Sequence, residues 1–141
     1  MGLYLVVFKG DDDDEEVDGV DVGTYADFNR FRFTLSGRLE GARGVGSRFP
    51  TLMLHADCDG TWSAVEAAAL REEVTTIRQE ASHRSAEPWS SDWQADLAAE
   101  FGLIPNSLAE SFIDVDGRSL LDRRVELCDL SIGYRQPIWF Q

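Results

Sequence analysis

The chain has 141 residues, of which 26 are Asp or Glu and 13 are Lys or Arg, so its formal net charge is −13. A negative surplus of this size disfavours nucleic acids and anionic membrane surfaces as partners, because both bind positive protein surfaces, and it favours a basic protein or a cation. Hydrophobic residues make up 43% of the sequence, which is enough for a core, and the length predicts one globular domain over residues 1–141.

The N-terminal segment combines an apolar strand with an acidic run. Leu3–Phe8 is continuously apolar, which is typical of a central strand buried on both faces of a sheet. Six consecutive acids follow shortly afterwards, and such a run of like charge predicts a solvated loop. These acids are Asp11, Asp12, Asp13, Asp14, Glu15 and Glu16.

Helical periodicity begins after Thr24, which has the side chain of a helix N-cap. Apolar side chains from Tyr25 to Leu39 recur at spacings of three and four residues and predict one buried helical face, from which Phe33 departs. A glycine-rich linker then leads into a second predicted strand, Thr51–His55.

Two further helices are predicted in the middle of the chain. Ser63 and Glu66 have the spacing of a capping box, which opens a long amphipathic helix extending to about Ala81. The other helix is predicted over Ser91–Phe101 and should end at Gly102, because glycine commonly terminates helices in this position.

The C-terminal third predicts a short strand, a helix and a final strand. Phe112–Val115 is interpreted as the short strand, and Ser119–Ile132 as a largely buried helix that ends at Gly133. Pro137–Phe140 is predicted to pair inside the sheet, since so apolar a segment is unlikely to fray in water.

Helices and strands in this order predict an α/β fold, with α+β as the alternative. We expect a small mixed, partly parallel sheet of three to four strands, with Leu3–Phe8, Thr51–His55 and Pro137–Phe140 in one sheet covered by about four helices. The residues predicted to be buried are Phe28, Phe31, Leu35, Leu70, Val74, Val125 and Cys128.

The compartment is predicted from the cysteines and from the hydrophobic segments. Only Cys58 and Cys128 are present, and we interpret both as reduced thiols. No apolar stretch reaches the length of a membrane span, and the N-terminus lacks the basic segment of a signal peptide. The sequence therefore predicts a cytoplasmic protein.

A calcium site is the first candidate chemistry. Asp14–Gly19 loosely matches the first half of an EF-hand loop, but Tyr25 occupies the position where the bidentate Glu belongs. A solvated acidic surface is the favoured interpretation, and no metal or cofactor is predicted.

A nucleophilic site is the second candidate. His55, Asp57, Cys58 and Asp59 follow a predicted strand, and sites in α/β proteins form at the carboxyl ends of strands. This grouping leaves a small hydrolase or transferase open as the alternative function. Residues so close in sequence seldom face one another as a catalytic dyad requires, which disfavours catalysis.

Trp89 and Trp93 are candidate contacts for a protein partner. Both lie between polar residues near the start of a predicted helix, and exposed tryptophans are enriched among residues that anchor interfaces. Ordinary partial burial is the competing and favoured interpretation.

An ordered set of segments suggests a family. These segments are Met1–Leu5, Val17–Gly23, Gly46–Met53, Asp57–Ser63 and Glu110–Gly117. Together they resemble the immunity protein 70 family of bacterial polymorphic toxin systems, and the resemblance spans most of the chain.

The resemblance implies a cytoplasmic antidote that binds and blocks a cognate toxin domain, without catalysis of its own. A basic toxin would be attracted by this acidic chain, and we expect the run Asp11–Glu16, helped by Asp57 and Asp59, to form the tentative toxin interface. If the strands flanking these two acidic loops are parallel, the loops emerge at the same edge of the sheet.

Overall fold

A β-hairpin begins the fold. The computed structural model describes residues 2–10 and 13–141, and strands β1 (Gly2–Gly10) and β2 (Asp13–Thr24) pair antiparallel within it. The predicted solvated loop is therefore wrong for residues 13–16, which belong to β2, whereas Asp11 and Asp12 lie outside the described residues. Acidic residues have low strand propensity, but pairing with the apolar β1 overrides that preference.

The sheet has the strand order β2-β1-β4-β3, and every pairing within it is antiparallel. Strand β4 (Ile138–Phe140) lies between β1 and β3 (Thr61–Trp62), which confirms that the C-terminal strand pairs inside the sheet. The predicted mixture of helices and strands is confirmed, but the partly parallel sheet is wrong.

The predicted strand Thr51–His55 is also wrong, because Pro50–Met53 forms the short helix α2. Proline is favoured at the first position of a helix, where its missing N–H is not needed. The Glu73 carboxylate accepts hydrogen bonds from the backbone N–H groups of Thr51 (3.1 Å) and Leu52 (3.0 Å). Glu73 belongs to a later helix, and its contact stabilises the start of α2. The sequence around Pro50 does not reveal this contact.

The two helix starts predicted from capping residues are confirmed. Helix α1 (Tyr25–Leu35) opens with a capping box in which Thr24 and Asp27 bond to each other's backbone N–H. Helix α3 (Ala64–Ala81) opens with the same motif between Ser63 and Glu66. In both cases, short-range side-chain chemistry determines where the helix begins.

The helix ends were predicted less well. Helix α4 (Asp92–Phe101) ends at Gly102 in a left-handed conformation, as predicted. Helix α5 (Leu120–Tyr134) instead continues through Gly133, and Arg135 adopts the left-handed conformation. The predicted strand over residues 112–115 is reduced to one isolated bridge between Ile113 and Ser119.

The hydrophobic core lies on one face of the sheet. Leu3, Leu5 and Val7 point into it together with the apolar faces of α1, α3 and α5, and all seven residues predicted to be buried are buried. Tyr4, Val6 and Phe8 alternate with them and face the opposite side of β1. The core therefore covers only one face of β1, and the prediction that helices bury both faces is wrong.

Irregular helical turns connect some of these elements. They are a π-helix at Ser36–Glu40 and 3-10 turns at Gly41–Arg43 and Leu108–Glu110.

Candidate functional site

The hairpin carries the first group of acidic candidates. Glu15 forms an ion pair with Lys9 (Nζ to Oε2, 3.5 Å), and the exposed Glu16 lies across from Phe8. Asp18 accepts hydrogen bonds from Arg123 at 2.8 and 3.1 Å, and these bonds hold the pKa of its carboxyl below the ordinary value despite partial burial. Asp18 thus fastens β2 to α5, whereas Glu16 faces solvent.

The second acidic group lies in the loop before β3. The Asp57 carboxylate accepts a hydrogen bond from Asn29 Nδ2 (2.6 Å), which is the main reason that its pKa is lowered. Arg32 braces the same region by donating to Asn29 Oδ1 (2.7 Å) and to the His55 carbonyl (2.7 Å). Asp59 is exposed. Of the two predicted acids, Asp57 is therefore held by α1, while Asp59 projects into solvent.

The sheet register places the two acidic groups at opposite ends of the sheet. Gly10 pairs with Asp13 at the hairpin end of β1, whereas Gly60, next to Asp59, accepts a hydrogen bond from Phe140, which pairs with Leu5. Five residues separate these levels along β1, or about 17 Å. The two loops do not share one edge. Strands β1 and β3 run in the same direction, each antiparallel to β4, but the hairpin follows β1 whereas the loop with Asp57 and Asp59 precedes β3.

The surroundings of His55 and Cys58 do not resemble an activated dyad. The two ring nitrogens of His55 lie 2.8 Å from the carbonyl oxygens of Ala56 and Thr61, and its ring stacks on Phe140 with centroids 4.2 Å apart. The pKa of the exposed Cys58 thiol is raised, first by its hydrogen bond to Asp57. A nucleophilic cysteine requires a lowered pKa, so this arrangement disfavours thiolate formation.

The metal-ligating candidates are not brought together. The candidate Asp14–Gly19 lies within the extended strand β2, where the side chains of residues 15–18 alternate between opposite faces instead of converging as in an EF-hand loop. Among residues 2–10 and 13–141, no group of three or more His, Cys, Asp or Glu side chains is arranged to hold a metal ion.

A third surface, which the sequence analysis missed, is the side of the sheet turned away from the core. Its members are Tyr4, Val6 and Phe8 of β1 and Trp139 of β4, and we call it the outer face. Val6 is fully buried although it is not part of the core cluster, and the Trp139 side chain paired with it is 43% exposed. The outer face is therefore a thin aromatic layer next to solvent.

Tyr4 shows how closely this layer is packed. A Cβ atom built on Gly19, which pairs with Val6, would lie 2.2 Å from the Tyr4 ring, so the ring occupies the space that a side chain would fill. Burial and a hydrogen bond to Glu16 raise the pKa of Tyr4 to about 12. The Tyr4 ring is thereby fixed across the hairpin, over Gly19 of β2.

Comparison with known proteins decides the family. A model of the immunity protein 70 family matches residues 8–140, nearly the whole chain. The chain belongs to this family. Neither the curated proteins nor the solved structures contain a match.

Membership in the immunity protein 70 family confirms the resemblance found in the sequence. It directs attention to surfaces that can contact a protein rather than to a substrate pocket. No helix within the described ranges is long and apolar enough to cross a membrane.

Trp89 and Trp93 are both partly buried in this immunity protein. The Trp93 indole nitrogen donates to the carboxylate of Asp27 (3.1 Å), which belongs to the capping box of α1. Trp93 thus helps to fix the start of α1. The interpretation of partial burial is confirmed for both residues.

The outer face could have been suspected from one feature of the sequence. Ile138, Trp139 and Phe140 were interpreted as one apolar strand, but residues on a strand alternate between faces, so Trp139 must point away from its two neighbours. Alternation alone does not show which face meets the helices. That information comes from the helix contacts, which only the structure supplies.

Proposed function

We propose that this protein neutralises a cognate bacterial toxin domain by binding it, and that the toxin is basic. The observation that carries the proposal is the family match over residues 8–140, since immunity proteins protect against toxins by association. The net charge of −13 supports a basic partner, because opposite charges steer two proteins together.

The geometry of the loop before β3 favours a role in binding over a role in catalysis. The ring nitrogens of His55 face backbone carbonyls and the Cys58 thiol has a raised pKa, so neither side chain is prepared to activate the other. In the proposed function, the protein binds the toxin stoichiometrically and needs no metal, cofactor or catalytic residue.

The acidic residues are proposed to guide the approach of the toxin. The run Asp11–Glu16 supplies six carboxylates in the sequence, of which Glu15 and Glu16 lie on β2 near the hairpin end, and Asp57 and Asp59 supply two at the other end of the sheet. Because Asn29 already holds Asp57, Asp59 is the stronger candidate for direct contact. Two separated charge groups can orient a partner as well as attract it.

The test uses a cognate toxin domain, to be identified among the genes that neighbour this one, purified and measured with and without the immunity protein. We expect inhibition that is complete at one equivalent. Replacing Asp11, Asp12 and Asp14 by Asn should slow association about 10-fold at low salt and flatten its salt dependence, because steering by charge is screened by ions.

A matched control removes three charges elsewhere. Glu72→Gln, Asp96→Asn and Glu100→Gln alter exposed acids of α3 and α4, so they change the net charge equally without altering the hairpin. Equal association rates for the two triple variants would show that only the net charge matters. Absence of inhibition by the unmodified chain would overturn the proposed function itself.

A further inference from the structure

The outer face of the sheet has the anatomy of a protein-docking surface. We propose that the basic toxin domain docks on this face, with Trp139 as the central anchor; this inference rests on the proposed function. Trp139 is 43% exposed between Ile138 and Phe140, which are both buried in the core. The backbone of β4 is therefore fixed on both sides of a tryptophan that faces solvent.

The rigidity of this surface favours tight binding. Trp139 pairs with Val6 on one side and with Thr61 on the other, so the residue lies on a central strand rather than on a loop. Tyr4 is fixed over Gly19 and Val6 is fully buried. An aromatic side chain presented by a rigid strand loses little conformational entropy on binding, and tryptophan is enriched among interface residues that dominate affinity.

The negative charge at the border of the outer face favours a basic partner. Glu16 lies across from Phe8, and Asp21 lies across from Tyr4, so carboxylates border the aromatic centre on the β2 side. The outward positions of β1, β3 and β4 that surround Trp139 are Tyr4, Val6, Phe8 and Thr61, none of which is basic. An apolar centre with an acidic border complements a basic protein that presents an apolar patch.

A second copy of this chain fits the surface less well. Two copies docked face to face would bring together borders of the same sign on molecules that each carry a charge of −13. Like charges placed opposite one another in an interface oppose association. The basic toxin is therefore the occupant that we propose.

The outer face also lies between the two acidic groups described above. The hairpin group follows β1 at Gly10, and Asp59 precedes β3 near the level of Leu5, so Trp139, paired with Val6, lies between these levels along the sheet. A toxin centred on Trp139 can approach both groups at once. This placement gives each acidic group a role in orienting the partner without requiring them to be adjacent.

The experiment measures the affinity of the inactivated toxin domain for Trp139→Ala. We expect binding at least about 30-fold weaker, as for a central interface tryptophan. Phe33→Ala is the matched control, because Phe33 is 56% exposed on α1 and does not lie on the sheet. This control should bind within about 2-fold of the unmodified chain, and circular dichroism should show that both variants keep the native fold.

A second substitution checks the acidic border without removing apolar surface. Glu16→Gln should weaken binding at low salt more than Glu72→Gln, which alters an exposed acid of α3.

Unchanged affinity of folded Trp139→Ala for a toxin that the unmodified chain binds would overturn this inference and leave the proposed function intact. A toxin that does not bind the unmodified chain would overturn both, and a dimer of the free chain that Trp139→Ala dissociates would assign the outer face to a second copy.

Discussion

Arg124 is the least well satisfied residue of the core. It is 1% exposed, and its Nη1 and Nη2 atoms have no hydrogen-bond partner among the described residues. The guanidinium lies over the rings of Phe28, Phe31 and Trp62 at 5.2 to 5.6 Å from their centroids. The pKa of Arg124 is lowered to about 10, mainly by burial; the nearby Arg32 adds to this shift and Cys128 opposes it.

We predict that Arg124→Met stabilises the protein. Contacts with aromatic rings offset part of the cost of burying a cation, but an apolar side chain of similar length keeps the packing without that cost. The free energy of unfolding should rise by about 1–3 kcal/mol, measured by urea denaturation.

Arg71→Met is the control for this prediction. Arg71 pairs with Asp129 at the surface, where an ion pair contributes at most about 1 kcal/mol. A loss of stability in Arg124→Met larger than that in Arg71→Met would show that the buried guanidinium makes favourable contacts beyond the three rings.

Arg32 shows what satisfies a buried arginine in this fold. Its Nη1 donates to the carbonyls of Leu52 (3.1 Å) and His55 (2.7 Å), both in the segment that follows Phe49. These carbonyls are available because the segment forms a short helix and a bend instead of a strand. The error in predicting Thr51–His55 and the role of Arg32 therefore have the same structural origin.

At the level of elements, two glycines with the same predicted role behave differently. Gly102 ends α4 with a φ of 66°, whereas Gly133 lies inside α5, and no atom lies within 4 Å of a Cβ built on either residue. The two positions thus differ in backbone conformation and not in available space.

We predict opposite effects of alanine at these two glycines. Gly133→Ala should stabilise the protein by about 0.5–1 kcal/mol, because alanine loses less backbone entropy in a helix. Gly102→Ala should destabilise it by about 1 kcal/mol, because a left-handed conformation brings Cβ close to the following carbonyl. Thermal unfolding of both variants measures the difference, and shifts of the same sign would contradict the assigned helix ends.

Features that depend on neighbouring residues were predictable from the sequence, whereas those that depend on distant partners were not. The capping boxes at Thr24 and Ser63 and the apolar stripe of α3 involve residues a few positions apart. Helix α2 depends on Glu73, more than twenty positions away, and strand β2 depends on pairing with β1. Local propensity is a weak guide wherever tertiary contacts decide.

The candidate site follows the same rule. Its acidic residues could be named from the sequence because charge is a property of the residue. Their positions at opposite ends of the sheet, and the outer face between them, depend on the register of β1, β3 and β4. A one-residue shift of a strand exchanges its two faces, so Trp139 could not be assigned to solvent from the sequence alone.

For the whole molecule, negative charge is the property that connects folding with binding. Among the described residues, most ion pairs join an arginine to a carboxylate, and Arg123 by itself contacts Asp18, Asp114 and Glu126. The surplus of 13 carboxylates remains after all 13 bases are counted. Mutual repulsion of that surplus destabilises the compact state, while the same field attracts a basic partner.

Salt should therefore change the stability of the free protein and the strength of the complex in opposite directions. Raising NaCl from about 0.02 M to about 0.5 M shortens the screening length several-fold, which weakens repulsion within the chain and attraction to the toxin alike. We expect the Tm of the free protein to rise and association with the toxin domain to slow by about 10-fold or more.

The variant with Asn at positions 11, 12 and 14 should show a smaller change in both measurements, because it has less charge to screen. A fall in Tm with added NaCl would show that the ion pairs, and not the surplus of carboxylates, dominate the electrostatics of the folded protein.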